Sequence, residues 1–271
     1  MNISLIITTY NWEAALELTL LSLVRQSMMP AEILVADDGS SPSTGAMVNE
    51  WARRLPVPLR HLWQPDEGFR LARSRNRAIA ACRGDYVVIV DGDMILHREF
   101  IRDHARAARR GCFIQGVRVL TGPAASQRML QEKLLDLGLF SRGIHRRRHT
   151  IRNLAFSWIL YQQVHTHQKA IRGSNQAYWR NDLLRVNGFD ERMVGWGRED
   201  NEIAARLYNI GIRRRNLKFA ALAIHLYHDV RHPVGVNPND VLLQATIAER
   251  RTWCELGISQ HLEEFSGLAA T

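Results

Sequence analysis

Short apolar runs alternate with helical patterns through the first 120 residues, and this alternation limits the fold more than any other feature of the sequence. The runs are rich in β-branched residues and short enough for strands that are buried on both faces. They predict strands at Ile3 to Thr8, Ile33 to Ala36, Leu59 to Trp63, Tyr86 to Val90 and Phe113 to Val119. Strands alternating with helices are typical of an open, mostly parallel α/β sheet with helices on both faces.

Apolar residues at three- and four-residue spacing predict the helices of this sheet. The first helix is expected to begin after Asn11 as its N-cap and to carry Leu16, Leu20 and Leu23 on one face. Further elements are predicted as helices at residues 44–54, 71–82, 99–109, 201–209 and 240–256, and as a strand at 218–225. The second half is less regular but shows no repeat and no low-complexity linker, so we expect a single domain over residues 1–271.

Polar clusters follow three of the predicted strands at their carboxyl ends, which is where open α/β sheets bind ligands. The clearest is Asp91-Gly92-Asp93 after the fourth strand. Two carboxylates at this spacing can share a divalent cation, and Mg²⁺ or Mn²⁺ is usually held by few carboxylates plus substrate phosphates. The residues that follow offer no further ligands, which argues against an EF-hand. A simple turn remains the alternative, since Asp-Gly pairs are common in turns.

The second cluster is Asp37-Asp38-Gly39-Ser40, whose carboxylates could accept the imide N–H of a uracil ring. Helix capping by Ser40 or a tight turn would explain it equally well. Thr8 and Tyr10, at the end of the first strand, could line the same pocket. Neither the glycine fingerprint of dinucleotide-binding folds nor a P-loop occurs, which disfavours both classes.

Arginines near the start of the predicted 71–82 helix could clamp a diphosphate, and the candidates are Arg70 and Arg75. For any single arginine the alternative is a solvated basic face.

The third cluster is Gly195-Trp196-Gly197-Arg198-Glu199-Asp200, which precedes a predicted helix. Flanking glycines would let the Trp196 indole project as a platform for the apolar face of a sugar. One carboxylate could be the general base that takes a proton from an acceptor hydroxyl. A metal-held diphosphate leaves without a protein acid, so a single base suffices, whereas glycosidases need two carboxylates. The alternative is that these acids only cap the helix.

His225 and His228 lie three residues apart at the end of a predicted strand, with His232 beyond them. A histidine here could complete a metal coordination sphere. Without the other clusters, each would be interpreted as an ordinary surface or core histidine.

Composition narrows the class of partner and the compartment. The net charge of +9 favours anionic partners, such as phosphorylated substrates, an acidic membrane surface or nucleic acid. The three cysteines lie far apart without metal-ligand spacing, which predicts neither disulfides nor zinc and favours a reducing compartment. The sequence opens without a signal-peptide pattern, and no segment is long and apolar enough to cross a membrane. We therefore expect a cytoplasmic protein.

Taken together, these stretches resemble family 2 glycosyltransferases of the GT-A (Rossmann-like) fold. The likeness is strongest to members with a galactosyltransferase-type C-terminal segment, such as bacterial chondroitin polymerases and the β-1,4-galactosyltransferases. It rests on seven ordered pieces: Ile6 to Asn11, Asp37 to Ser40, Gly68 to Arg70 with Arg75-Asn76, Val90 to Asp93, Arg172 to Asn175, Asn187 to Asp190 and Gly195 to Asp200.

The resemblance implies roles for individual residues. Uridine would be contacted by Thr8, Tyr10 and Asp38; the metal would be bound by Asp93, with Asp91 supporting the donor; Asp200 would be the base, with Glu199, Trp196 and Gly197 at the acceptor. In the galactosyltransferases a Met and a His three apart bind the metal. His225 and His228 have this spacing, and His228 matches in type. The family also implies inversion at the anomeric carbon by direct displacement.

We therefore expect transfer from a UDP-sugar to a hydroxyl of a glycan or lipid-linked glycan, in bacterial surface polysaccharide or lipopolysaccharide synthesis. Manganese is the expected cofactor, with magnesium as the alternative. Residues 1–120 would bind the nucleotide sugar and residues 121–271 the acceptor. The basic and apolar segment near 128–170, expected to be a helical insert, would dock on an anionic membrane, at the inner face of the cytoplasmic membrane, or only present a solvated face.

Two other functions remain open from the residues alone. A phosphotransferase of the haloacid dehalogenase type would use Asp91 as a nucleophile, although that motif normally lies near the start of its fold. A basic nucleic-acid-binding protein would rely on Arg146-Arg147-Arg148. It would bind less tightly at high salt, but it leaves the carboxylates at the strand ends unexplained, so no nucleic acid is expected.

Overall fold

The computed structural model describes residues 1–229 and 237–266. Its strands are β1 Ile3–Thr9, β2 Glu32–Asp37, β3 Leu59–Trp63, β4 Tyr86–Asp91, β5 Met94–Leu96, β6 Cys112–Gly116, β7 Val119–Thr121, β8 Ile144–His145, β9 Val164–His165, β10 Asn175–Trp179, β11 Arg213–Leu217 and β12 Ala223–His225. Its α-helices are α1 Glu13–Val24, α2 Pro42–Arg54, α3 Leu71–Ala81, α4 Phe100–Ala107, α5 Pro123–Glu132, α6 Leu154–Tyr161, α7 Arg180–Arg185, α8 Glu199–Asn209, α9 Asn239–Ala248 and α10 Leu262–Ser266. Short 3₁₀ helices lie at Arg147–Thr150 and Ile258–Gln260.

The main sheet has the strand order β3-β2-β1-β4-β10-β6-β11-β9. Strands β3, β2, β1 and β4 are parallel, and β6 is parallel to β11. Strand β10 runs antiparallel between β4 and β6, and β9 is antiparallel to β11. The sheet is therefore mixed and mostly parallel, as predicted, and it joins strands from both halves of the chain.

Both faces of the main sheet are buried, which explains why its central strands are continuous apolar runs. Side chains alternate between the faces, so Leu5 and Ile7 of β1 pack in one core while Ile6 packs in the other. The first core is covered by α1, α2 and α4, and the second by α3, α7 and α8. Helices on both faces leave the carboxyl-end edge of β1, β2 and β4 as the open edge.

A second sheet, with strand order β5-β12-β7-β8, extends this open edge. Strand β12 pairs antiparallel with β5 so that His225 lies opposite Met94. The backbone N–H of Leu226 donates to the carbonyl of Asp93 at 3.0 Å. These contacts bring the second half of the chain against the motif that follows β4.

Three sequence-predicted elements differ from the structure. The strand predicted at 113–119 is divided into β6 and β7, because the chain leaves the main sheet at residues 117–118 to enter the second sheet. Of the strand predicted at 218–225, only Ala223–His225 is a strand, β12 of the second sheet, while β11 of the main sheet ends before it at Leu217. The helix predicted at 240–256 ends at Ala248. Apolar periodicity alone does not reveal such a change of sheet.

Two smaller expectations can also be compared. Asn11 is not the N-cap of α1: it has a positive φ of 44°, and Trp12 occupies the cap position. The 128–170 segment is only partly helical, since it contains the end of α5, the strands β8 and β9, a 3₁₀ helix and α6. Over the described ranges, no helix combines the length and apolarity that crossing a bilayer requires.

Candidate active site

A cleft of about 1180 Å³ opens at the carboxyl ends of β1, β2 and β4. It is the size of a large ligand site and lies where open α/β sheets bind their ligands. The sequence-predicted residues that line it are Thr8, Tyr10, Asp38, Arg75, Asp91, Asp93, Trp196, Gly197, Glu199, Asp200, His225 and His228. The fold thus brings all three predicted polar clusters and both histidines into one cavity.

Asp38 marks one end of the cleft and is held firmly. Its two carboxylate oxygens accept hydrogen bonds from Gln64 Nε2 at 2.6 Å and from the backbone N–H of Arg70 at 2.8 Å. Burial raises the pKa of Asp38 to about 6. Tyr10 is half exposed nearby, and its hydroxyl donates to Asp66 at 2.9 Å. A fixed carboxylate and an exposed aromatic ring can together bind a planar base that carries an N–H.

Two predicted donor-binding side chains are not brought into the cleft. Asp37 is fully buried, and its oxygens accept from Ser40 N at 2.8 Å and pair with His61 Nε2 at 2.7 Å. Burial opposes ionisation of Asp37, but these hydrogen bonds lower its pKa. The Arg70 side chain is directed to the Glu67 carbonyl, 3.4 Å from its Nε, so only the Arg70 backbone serves the site.

Three side chains of the kind that bind metal ions meet in the cleft near Asp91. Asp93, His225 and His228 each offer one ligand atom, and these atoms lie within 4.8 Å of one another. Both histidine Nε2 atoms are 3.4 Å from Asp93 Oδ2. The other oxygen, Asp93 Oδ1, is buried and has no hydrogen-bond partner among the described residues. An unsatisfied buried carboxylate oxygen beside two imidazoles is the arrangement that a divalent metal completes.

Burial acts on two members of this group in opposite senses. Burial, followed by the nearby Asp91 charge, raises the pKa of Asp93 to about 8, a shift toward the protonated acid that a bound cation would oppose. Burial, followed by Arg118, lowers the pKa of His225 to about 3, so its ring is neutral and able to ligate. Two nitrogen ligands suit Mn²⁺ better than Mg²⁺, which prefers an all-oxygen shell.

Asp91 lies outside this group of three, and its role as a metal ligand remains a prediction. Its Oδ1 accepts from Thr8 Oγ1 at 3.1 Å and lies 3.5 Å from Arg75 Nη2. The parallel register of β1 and β4 pairs Thr8 with Asp91 and so turns this carboxylate toward the centre of the cleft. Its supporting role toward the donor remains a prediction.

Arg75 is the central cation of the cleft and is almost fully buried. Its Nη1 atom lies 3.0 Å from Asp200 Oδ1 and 3.5 Å from Glu199 Oε1, while Nη2 faces Asp91. Its guanidinium also stacks 5.1 Å from the Phe189 ring centroid. One side chain of α3 therefore links carboxylates that are more than one hundred residues apart in sequence.

The two carboxylates at the start of α8 differ in environment. Burial, followed by the neighbouring Asp200, raises the pKa of Glu199 to about 8, and Glu199 Oε2 is buried without a hydrogen-bond partner in the part of the chain that the structure describes. Burial also raises the pKa of Asp200, while Arg75 and the Gly173 backbone oppose the shift. A Cβ at Gly173 would lie 2.5 Å from Asp200 Oδ1, so only glycine leaves room for this carboxylate.

The Trp196 indole projects from a tight turn, as predicted, and is 46% exposed. Gly195 and Gly197 have φ of 82° and 93°, and Arg198 has φ of 79° in the left-handed region. Asn237 Nδ2 donates to the Trp196 carbonyl at 2.9 Å, which fixes the turn from outside. His232, the third histidine of the sequence prediction, lies outside the described residues.

Sequence reasoning missed three arginines that line the cleft. They are Arg118, Arg146 and Arg172. Two of them lie in stretches that the sequence had singled out, the triple arginine and the Arg172-Gly173-Ser174-Asn175 match, but no cleft position was assigned to them. No sequence pattern indicated that Arg118 lines the cleft, because its segment was predicted as one continuous strand.

Comparison with known families decides the class. Residues 4–167 match the family described as "Glycosyl transferase family 2". The chain belongs to glycosyl transferase family 2. Residues 156–232 also match the family described as "N-terminal domain of galactosyltransferase". The resemblance inferred from the motifs is confirmed, and the haloacid-dehalogenase-type and nucleic-acid-binding alternatives are wrong for this glycosyltransferase.

Curated relatives agree with this family 2 membership. The chain is 27% identical to chondroitin synthase of Escherichia coli over 242 residues, which is 82% of this chain and 34% of that protein. It is 25% identical to validoxylamine A glucosyltransferase of Streptomyces hygroscopicus subsp. limoneus, covering 78% of this chain and 48% of that protein. The chain thus spans between about a third and a half of these relatives' lengths.

Solved structures share the fold of this family 2 glycosyltransferase. TarS 1-349 of S. aureus, in complex with UDP-GlcNAc, has a TM-score of 0.60 at 21% identity and matches 98% of this chain and 72% of its own. The mannosyltransferase PcManGT of Pyrobaculum calidifontis, with GDP-Man and Mn²⁺, has a TM-score of 0.56 at 18% identity, covering 100% of this chain and 76% of its own. The GT-A architecture predicted from the sequence is confirmed.

Proposed function

We propose that this glycosyltransferase transfers a sugar from a UDP-sugar to a hydroxyl of a glycan or lipid-linked glycan, with inversion and with manganese as cofactor. The observation that carries the proposal is the cleft itself. One continuous cavity holds the fixed carboxylate of Asp38, the possible metal ligands around Asp93, and the neighbouring carboxyl groups of Glu199 and Asp200. Residues 1–120 would supply the donor side and residues 121–271 most of the acceptor side.

The uridine would bind at the Asp38 end. Gln64 and the Arg70 backbone hold the Asp38 carboxylate so that it can accept the uracil imide N–H. Tyr10 offers its exposed ring beside it. Solved neighbours of the same fold are complexes with UDP, with UDP-GlcNAc and with GDP-Man, which supports a nucleotide donor in this cleft.

Asp93, His225 and His228 would hold the manganese beside the donor diphosphate. When bound there, the metal neutralises charge on the diphosphate leaving group. The unpartnered Asp93 Oδ1 and the neutral His225 ring support this assignment. Thr8 and Arg75 keep Asp91 turned toward the donor rather than toward the metal ligands.

Asp200 would act as the general base. Arg75 holds it at 3.0 Å and favours its ionised form, whereas Glu199 carries its proton at neutral pH because its pKa is about 8. As the acceptor oxygen bonds to the anomeric carbon, its proton passes to Asp200, and the carbon–oxygen bond to UDP breaks on the opposite face. Inversion follows from this single displacement. Glu199, Trp196 and Gly197 would contact the acceptor.

An exposed apolar face supports peripheral contact with an anionic membrane. Helix α6 carries no charged residue, and it exposes Phe156 by 47%, Trp158 by 65% and Ile159 by 64%. Exposed arginines at 147 and 148 precede it. Apolar side chains beside basic ones fit the interface of a bilayer with acidic lipids. We propose a cytoplasmic enzyme at the inner face of the membrane, acting in surface polysaccharide or lipopolysaccharide synthesis.

Thermal unfolding with a panel of nucleotide sugars, with and without manganese, tests the donor and the metal together. A donor at about one hundred times its Kd stabilises the fold by about 2.7 kcal/mol, or roughly 5–10 °C for a domain of this size. We expect this shift for UDP-sugars with manganese only, and its loss in Asp93→Asn. The proposal fails if no nucleotide sugar gives a metal-dependent shift.

Asp200→Asn separates binding from chemistry. Because Asp200 pairs with Arg75 and belongs neither to the Asp38 hydrogen bonds nor to the Asp93 ligand group, we expect the variant to keep the manganese-dependent UDP shift. Transfer of the sugar should fall by about 10²-fold or more, since a general base is worth that much. Normal transfer by Asp200→Asn would remove this residue as the base.

A further inference from the structure

Three arginines of the cleft form no salt bridge in the part of the chain that the structure describes. Within the described residues, Arg118, Arg146 and Arg172 line the cavity and form none of its ion pairs. The other two arginines that line it are paired: Arg75 with carboxylates at the start of α8, and Arg198 with Asp240 at 2.6 Å. The unpaired arginines lie close together on one wall.

Hydrogen bonds fix two of these arginines at the end of β6. Gln115 Nε2 donates to the carbonyl of Arg172 at 2.9 Å, and the backbone N–H of Arg172 donates to Gln115 Oε1 at 3.0 Å. The Arg118 guanidinium donates to Ser174 Oγ, two residues beyond Arg172. Its Nε is buried and makes no hydrogen bond within the described protein.

The third arginine comes from the 128–170 segment. The antiparallel register of β7 and β8 pairs Leu120 with His145 and Thr121 with Ile144. The next residue, Arg146, therefore reaches the level of Val119, beside Arg118. Arg146 has a left-handed backbone with φ of 57°, which ends the strand and turns the chain at the cleft. Three separate segments thus place guanidinium groups at one site.

The positive charges of these three arginines repel one another. Burial, followed by Arg146 and Arg118, lowers the pKa of Arg172, and burial, followed by Arg118 and Arg148, lowers the pKa of Arg146. Like charges held together without counter-charge are relieved by a bound anion, and guanidinium groups match the geometry of phosphate and carboxylate.

We propose that Arg118, Arg146 and Arg172 form a subsite for a phosphate or carboxylate group carried by the acceptor. The proposal rests on the proposed function and specifies its acceptor as anionic. Arg146 and Arg172 are exposed at the mouth of the cleft, whereas the donor diphosphate would lie at Asp93. Arg172 also adjoins Gly173, whose backbone contacts the general base Asp200. The alternative is that these arginines bind the donor diphosphate, because Arg118 lies close enough to Asp93 to lower the pKa of that carboxyl.

Calorimetric titration distinguishes the two sources. The probes are UDP with manganese, and then glucose 6-phosphate against neutral glucose, with and without saturating UDP and manganese. The variants are Arg146→Gln and Arg172→Gln, both at exposed positions. Arg142→Gln is the matched control, because Arg142 is an exposed arginine of the same segment outside the cleft.

We expect wild-type protein to bind glucose 6-phosphate at least about tenfold more tightly than glucose, since a charge-assisted contact is worth that much. Each cleft variant should lose about tenfold of this affinity and keep its UDP affinity, while Arg142→Gln changes neither. Equal binding of the two sugars by the wild type overturns the subsite. A loss of UDP affinity with unchanged sugar-phosphate binding assigns the arginines to the donor and also overturns it. Failure of wild type to bind UDP counts against the proposed function alone, because the sugar phosphate is also titrated without UDP.

Discussion

Replacing Glu199 by Gln should make the protein more stable at alkaline pH. Glu199 is 7% exposed, and its Oε2 has no hydrogen-bond partner within residues 1–229 and 237–266. Burial, followed by Asp200, raises its pKa from 4.5 to about 8. The folded protein therefore keeps the Glu199 proton at pH values where the unfolded chain has lost it. Gln has the shape of the protonated acid and carries no charge to expel.

The sign and size of the Glu199 contribution to the free energy of unfolding follow from proton linkage. Between pH 4.5 and about 8 the native state binds more protons at Glu199 than the unfolded state, so its contribution to stability falls as pH rises through this window. At about 1.36 kcal/mol per pKa unit, the ionisable side chain costs on the order of 4 kcal/mol at pH 8 and under about 1 kcal/mol at pH 5. The Gln variant avoids this cost.

The assay is thermal unfolding in EDTA at pH 5 and pH 8. We expect Glu199→Gln to melt on the order of 10 °C above wild type at pH 8 and within a few degrees of it at pH 5. Glu50→Gln is the control, because Glu50 is an exposed helix residue paired with Arg54. Parallel pH curves for Glu199→Gln and wild type would show that this carboxylate is not held in its neutral form, and would refute the reasoning.

Three further changes test the rest of the site. Arg75→Gln leaves buried carboxylates without their cation and should cost about 3–5 kcal/mol in urea unfolding, against about 0–1 kcal/mol for the exposed Arg54→Gln. Removing one metal ligand by His225→Ala should abolish the manganese-dependent part of UDP binding in calorimetry and leave the metal-free part; an unchanged manganese response would exclude this histidine. Trp158→Ser should weaken binding to phosphatidylglycerol vesicles by about tenfold, whereas Trp253→Ser, which also removes an exposed tryptophan, should not; equal loss in both would exclude the α6 face.

Much of the proposed donor side could be predicted from the sequence because its sequence signals are local. Each polar cluster directly follows a buried apolar run, and parallel strands end at a common edge, so Thr8, Asp38 and Asp93 had to lie near one another. The choice between Asp37 and Asp38 was also within reach. Neighbouring strand-end side chains point to opposite faces, so both could not enter the cleft, and the structure directs Asp37 to His61.

The proposed acceptor side was harder to predict because its contacts are long-range. Strand β10 pairs with β4 across more than eighty residues, and no local pattern specifies that pairing. The chain also passes from the main sheet to the second sheet near Arg118, and apolar periodicity does not indicate this change. The sequence therefore did not predict that Arg118, Arg146 and Arg172 line the cleft. The Arg75 contact with Asp200 likewise depends on how α3 and α8 pack on the same face of the main sheet.

Because Arg75 touches Asp91 on one side and Asp200 on the other, the residues proposed to contact the donor and the acceptor share a counter-ion. A donor that draws Asp91 toward itself would release part of the guanidinium to Asp200, and an acceptor that engages Asp200 would act back on Asp91. Linkage requires the effect to be equal in both directions: the factor by which UDP changes acceptor affinity is the factor by which acceptor changes UDP affinity. We expect this cooperativity to vanish in Arg75→Lys, whose single ammonium cannot reach both carboxylates, and a thermodynamic cycle of four titrations would measure it.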